Sequence, residues 1–170
     1  PEGAWVDGRF LVFGGWSSPI CPPNASCAYP AGSVLKDGAA FDPVAGTWSR
    51  IAELPMALGD PDTVVAGGQV HVLGYGQDGD DRSTGFFSYR PDQDRWTAHP
   101  LPPRPGRLIA AGDTVLVVPG SDEATAAIDA VFDPEQDTWH RLPKDPLGPS
   151  FDREGVWVDG RLLLAAKELV

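Results

Sequence analysis

The chain has 170 residues, of which 42% are hydrophobic and 22% charged, enough apolar material for one sizeable core. A formal net charge of −11 sets the surface against phosphate backbones and anionic lipid, which disfavours nucleic-acid binding and membrane adhesion. Six Trp and seven Phe argue against disorder, and no apolar run approaches the ~20 residues that span a bilayer.

The first residues, PEGAWVDG, carry no basic or apolar leader, and the mature form of a secreted protein reads the same way. From Ala4 to Gly15 the chain reads AWVDGRFLVFGG. Two short apolar runs flank Asp7-Gly8, a pair suited to the positive φ of a tight hairpin turn. They are expected to be strands buried on both faces. A variable loop follows from Trp16 to Asp37 and contains CPPNASC. Its Pro, Asn and Ser mark an exposed segment. A disulfide between Cys21 and Cys27 would contribute roughly 2 kcal/mol by loop closure and implies an oxidising compartment. Two free thiols in a cytosolic loop are the other possibility. Asn24-Ala25-Ser26 fits the N-glycosylation acceptor pattern, a short pattern that is common by chance.

A third strand then ends at Phe41, because Pro43 cannot donate to a ladder and starts a turn. Trp48 opens a fourth strand that stops at Leu54-Pro55. The whole series recurs with a period of about 45 residues. VVAGGQVHVLGYG (Val64 to Gly76), IAAGDTVLVVPG (Ile109 to Gly120) and VWVDGRLLLAA (Val156 to Ala166) repeat the hairpin. YRPDQDRW (Tyr89 to Trp96) and FDPEQDTW (Phe132 to Trp139) repeat FDPVAGTW (Phe41 to Trp48) without gaps. Further variable loops are expected over 77–85 and 121–126.

Four antiparallel strands per unit make one propeller blade. The expected units are blade I at 2–54, blade II at 62–101, blade III at 107–142 and a half blade IV at 154–170. Gly14-Gly15, Phe41 and Trp48 resemble the kelch repeat, with Gly74-Tyr75-Gly76 and Pro119-Gly120 as weaker forms of its glycine doublet. The sialidase Asp-box fits less well, since Gly46 follows Asp42 by four positions, and WD40 repeats would need a Trp-Asp pair. The fold class is therefore all-β, a kelch-like β-propeller fragment of four-stranded antiparallel blades. The resemblance implies closure by roughly five to seven blades. The chain is accordingly expected to be part of a longer protein whose remaining blades close the ring, or to pair with a second copy. The repeat Trp residues should pack between blades.

Function is expected on the face that carries the variable loops. Aligned on the hairpin turns, Glu2, Asp62, Arg107 and Glu154 share one position at the mouth of the central channel, with Arg104 and Arg153 in the same connections. Such a mouth suits a hydroxyl-rich or cationic ligand; a solvated rim of internal ion pairs is the blander reading. Trp5 and Trp157 occupy matching positions further in, where they could stack on a sugar, although core packing is favoured. Asp78, Asp80 and Asp81 lack the full calcium-loop signature. His99 and His140 read as outer-strand surface residues and His71 as a packed second-strand residue. No metal spacing, nucleophile elbow or phosphate loop is present, so the reading calls for no cofactor. The expected role is a non-catalytic binding module for a protein or glycan partner, extracytoplasmic or secreted. The rival is a piece of a secreted kelch-like enzyme of the sugar mutarotase or oxidase type, its active site completed by other blades.

Overall fold

The computed structural model describes residues 1–17, 33–78, 81–120, 127–147, 150 and 152–166. Blade I consists of β1 (Glu2–Val6), β2 (Arg9–Phe13), β5 (Gly38–Asp42) and β6 (Thr47–Arg50), hydrogen-bonded in that order. Between β2 and β5 a small ribbon pairs β3 (Trp16–Ser17) with β4 (Ser33–Val34). Blade II is β7 (Asp62–Ala66), β8 (Gln69–Asp78), β9 (Asp81–Arg90) and β10 (Arg95–His99). Blade III is β11 (Arg107–Ala111), β12 (Thr114–Val118), β13 (Ala130–Asp133) and β14 (Thr138–Arg141). A two-stranded sheet, β15 (Arg153–Val158) with β16 (Arg161–Ala166), forms the described part of blade IV.

The turns fold as their residues dictate. Asp7 and Gly8 have φ of 48° and 70°, and Asp159 and Gly160 have 49° and 73°. These left-handed pairs match the twist of a two-residue hairpin. At the Pro turns, Asp42 accepts the N–H groups of Val44 and Ala45, and Asp133 accepts those of Glu135 and Gln136. Accepting backbone N–H groups, first that of Ala45 and first that of Gln136, holds each carboxyl below the usual carboxylate range.

The blades stand side by side through their first strands: β1 lies against β7, β7 against β11 and β11 against β15. That arrangement places the first strands around a common axis, as in a propeller. Between blades I and II the core is built from Leu11, Phe13, Val70, Val72, Tyr89 and Trp96. Between II and III it uses Leu73, Phe86, Val115, Val117 and Phe132, and between III and IV it uses Ile109, Leu116, Val118 and Trp157. Each fully buried Val, Leu or Phe contributes about 1.5–3 kcal/mol.

The repeat Trp residues stitch successive blades. Trp96 Nε1 donates to Ala52 O and Trp139 Nε1 to Pro100 O, both at 2.9 Å, so each indole caps a carbonyl of the preceding blade's exit. Trp96 is 9% exposed, whereas Trp48 is 56% exposed and meets only Phe41 among the aromatic rings of the described residues. The difference has a plain cause: no described blade covers that side of blade I. For the same reason β1 and β2 are buried on one face only, with Trp5 and Phe10 on the open one, and β16 exposes Leu163.

The expected variable loop over 77–85 is instead a long hairpin. β8 and β9 each run ten residues and stay in register to Asp78↔Asp81. Gly74, Gly76 and Gly85 sit within these strands rather than ending them, and Leu58 bridges to Gly76 alongside. The backbone finds partners on both sides, so the ladder continues beyond the sheet.

Candidate functional site at the channel mouth

The sequence alignment of first strands is reproduced by hydrogen-bond register. Glu2 pairs with Phe13, Asp62 with Leu73, Arg107 with Val118 and Glu154 with Ala165, the same rung in four blades. Three of these residues, Asp62, Arg107 and Glu154, line one open cavity of about 840 Å³ across blades II, III and IV. Its wall also carries Asp60, Asp152, Tyr75 and Thr84. Glu2 holds the equivalent rung on blade I but does not line the cavity.

The charged groups differ in how far they are engaged. Asp62 accepts the Leu108 N–H at 2.5 Å and stands 3.9 Å from Arg107, tying blade II to blade III. Arg107 is otherwise exposed, with 70% of its side chain accessible. Tyr75, 65% exposed, offers an aromatic ring on the wall. Acidic groups, one available guanidinium and an aromatic face can hold hydroxyls by hydrogen bonds or a cation by charge and ring contact.

Arg153 also lines the cavity, with its guanidinium buried and both terminal nitrogens engaged within the protein. Nη1 donates to Pro119 O at 2.9 Å and Asp129 Oδ1 at 2.7 Å, while Nη2 donates to Asp129 Oδ2 at 3.0 Å and Asp145 Oδ2 at 2.7 Å. The hydrogen bonds with Asp129, then the charges of Asp129 and Asp145, raise its pKa further above an already high value. This residue braces the cavity wall between blades III and IV. Arg104 is half-buried away from the cavity, and its Nη1 has no hydrogen-bond partner among the described residues.

Neither tryptophan reaches the cavity. Trp157 packs against the core between blades III and IV, and Trp5 lies on the open face of blade I. Cys21, Cys27, Asn24 and Asp80, the loop at 121–126, and the side chains of Asp78 and Asp81 lie outside the described residues. His71 is buried as expected, and His140 is on the outer strand with 55% of its side chain accessible. His99 is not a surface residue: it is packed against Phe86 and Phe132 between blades II and III.

The alignment of turns could not supply Asp60, Tyr75, Thr84 or Asp152. Tyr75 carried a signal, since a tyrosine splits the glycine pair of its repeat. Asp60 and Asp152 lie in blade-to-blade connections, where no repeat register applies.

No protein-family model matches the chain. It is 30% identical over 111 residues to Kelch-like protein 25 of Xenopus tropicalis, covering 64% of this chain and 19% of that protein. It is 27% identical over 146 residues to Kelch-like protein terF of Aspergillus terreus, covering 75% of this chain and 32% of that protein. The solved structure of YjhT superposes with a TM-score of 0.64 at 17% identity, over 96% of this chain and 57% of that one. The chain thus spans a third or less of these two curated relatives. Repeats, blade topology and relatives agree on the class, an all-β propeller. Within that class, the chain is similar to the kelch-repeat β-propellers, as its repeats and these relatives support.

Proposed function

We propose that these blades form part of a non-catalytic binding module that holds a protein partner over the channel mouth. The observation that carries this reading is the open cavity of about 840 Å³, built from equivalent rungs of three blades and rimmed by their connections. A rigid scaffold that collects connections on one face is the usual setting for recognition. Further blades of the same chain complete the ring, covering the apolar faces of blades I and IV. Cys21 and Cys27 form a disulfide, and the module works in an oxidising, extracytoplasmic setting.

The test compares partner capture by the unmodified protein with capture by Tyr75→Ala and Glu154→Gln. A loss of tenfold or more in both variants, with the melting temperature unchanged, supports the reading. Equal capture by the variants, or sugar turnover by the intact protein that Glu154→Gln abolishes, would overturn it. The second outcome would favour the enzyme reading, which the carboxylates of the same cavity support.

A further inference from the structure

We infer that the joint between blades II and III is an acid-sensitive hinge, because a pair of histidines stands there where the neighbouring joints carry aliphatic side chains. Repeat register supplies the comparison. Across from the residue two positions after the mouth rung (Ala4, Val64, Ile109 and Val156), blade I has Leu11, blade III has Leu116 and blade IV has Leu163, but blade II has His71. Three residues after the repeat Trp, blade I has Ile51 and blade III has Leu142, but blade II has His99. Ile51 packs into the joint between I and II, and Leu142 into the joint between III and IV. Both exceptions therefore fall in one joint.

The geometry shows what a proton would do there. His71 is 4% exposed, stacks on Phe86 and meets Phe132 of blade III edge-on. Its Nδ1 has no hydrogen-bond partner among the described residues. His99 lies against the same two rings. Its Nε2 is 2.8 Å from Ser88 Oγ, and its Nδ1 is 2.7 Å from Asp137 Oδ1 on the β13–β14 turn. The titratable or charged groups brought to the joint are thus His71 from β8, His99 from β10 and Asp137 from blade III, together with Asp62 of β7 and Arg107 of β11 at its mouth end. Strand β9 contributes Ser88 and Phe86, β13 contributes Phe132 and β14 contributes Trp139, none of which titrates in the acid range. Asp137 is claimed by His99, so a charged His71 would face apolar rings and a second imidazole, with a backbone hydrogen bond to Ala66 as a smaller opposing contribution.

Burial first, and then the neighbouring His99, pushes the His71 pKa down from 6.5 to about 4. The sign follows directly. Between those values an opened joint takes up a proton that the closed joint refuses. Opening is therefore favoured progressively as pH falls from 6.5 towards 4, and closure is fully favoured above 6.5. The cavity wall runs across this joint, from Asp62 to Arg107. The consequence for partner binding rests on the reading above, whereas the joint itself is tested without any partner.

Hydrogen exchange of the intact chain, read by mass spectrometry at about pH 7 and about pH 5 and corrected for intrinsic rates, gives that test. The hinge predicts a rise of about tenfold or more at the lower pH in β8, β9 and β13, while β1, β2, β15 and β16 hold their protection. His71→Leu, which restores the residue of the other repeats, should abolish the rise, and His71→Met serves if leucine does not fold. A rise shared equally by all three joints, or one that persists in both variants, would overturn the hinge. So would a His71 ring titration in the native chain with a midpoint at or above 6.5.

Discussion

Two kinds of side chain join each blade to the one before it. The repeat Trp supplies an indole N–H to an exit carbonyl. The Asp before it, Asp94 or Asp137, stands in the left-handed region at φ of 45° or 55° and reaches across the joint. Asp94 Oδ1 accepts Ala52 N–H at 2.8 Å and Tyr89 O–H at 2.7 Å. Burial, followed by this bond to Asp94, pushes the Tyr89 phenol pKa well up. Trp96 packs edge-on to Phe13 at 5.4 Å, so Trp96→Ala removes both a buried ring and a bond across the joint. It should cost about 3–5 kcal/mol in urea unfolding, while Trp48→Ala on the open face should cost roughly 1 kcal/mol or less. Arg153→Ala leaves Asp129 buried without its partner and should cost about 3–5 kcal/mol, whereas Arg153→Met should cost less if Asp129→Leu accompanies it. Thermal or urea unfolding of the single and double variants checks this.

At the scale of the element, the hairpins and Pro–Trp turns were legible from sequence. Their chemistry is local: Asp-Gly pairs set the turn, Pro stops the third strand and Trp begins the fourth. The length of β8 and β9 was not legible. Gly74-Tyr75-Gly76 reads as a glycine doublet with a variable loop over 77–85 after it, yet flanking backbone at Leu58 gives Gly76 a partner. His99 was misplaced because its position after Trp alternates as an outer strand should, while burial comes from Phe132 of the next blade, which no local pattern reports. The partners of Arg153 were not legible for a similar reason, since Asp129 and Asp145 reach it only when blade III meets blade IV. Gly14 shows a glycine with a tertiary reason: φ is 60°, and a Cβ there would stand 2.9 Å from Leu58 O. Gly46 also has positive φ, 66°, but open space around it. Gly14→Ala should therefore destabilise by about 2–3 kcal/mol and Gly46→Ala by only about 1 kcal/mol, measured by chemical denaturation.

At the scale of the molecule, the described blades leave two apolar faces, one with Trp5 and Trp48 and the other with Val156, Val158 and Leu163. Such faces bind a partner sheet or an apolar dye. The 18.1 kDa chain alone should bind an apolar dye, and Trp5→Ser combined with Leu163→Ser should lower that signal without lowering cooperativity of unfolding. Little dye binding by the unmodified chain would mean that the faces are covered in solution, and binding unchanged in the double variant would place the dye elsewhere. The central claim is that recognition falls on the mouth rather than on the hairpin-turn face. The most direct measurement is a hydrogen-exchange footprint of the captured partner on the intact protein. The account predicts protection around Asp62, Tyr75, Arg107 and Glu154; protection confined to the turns at Gly8, Gly68, Gly112 and Gly160 would contradict it.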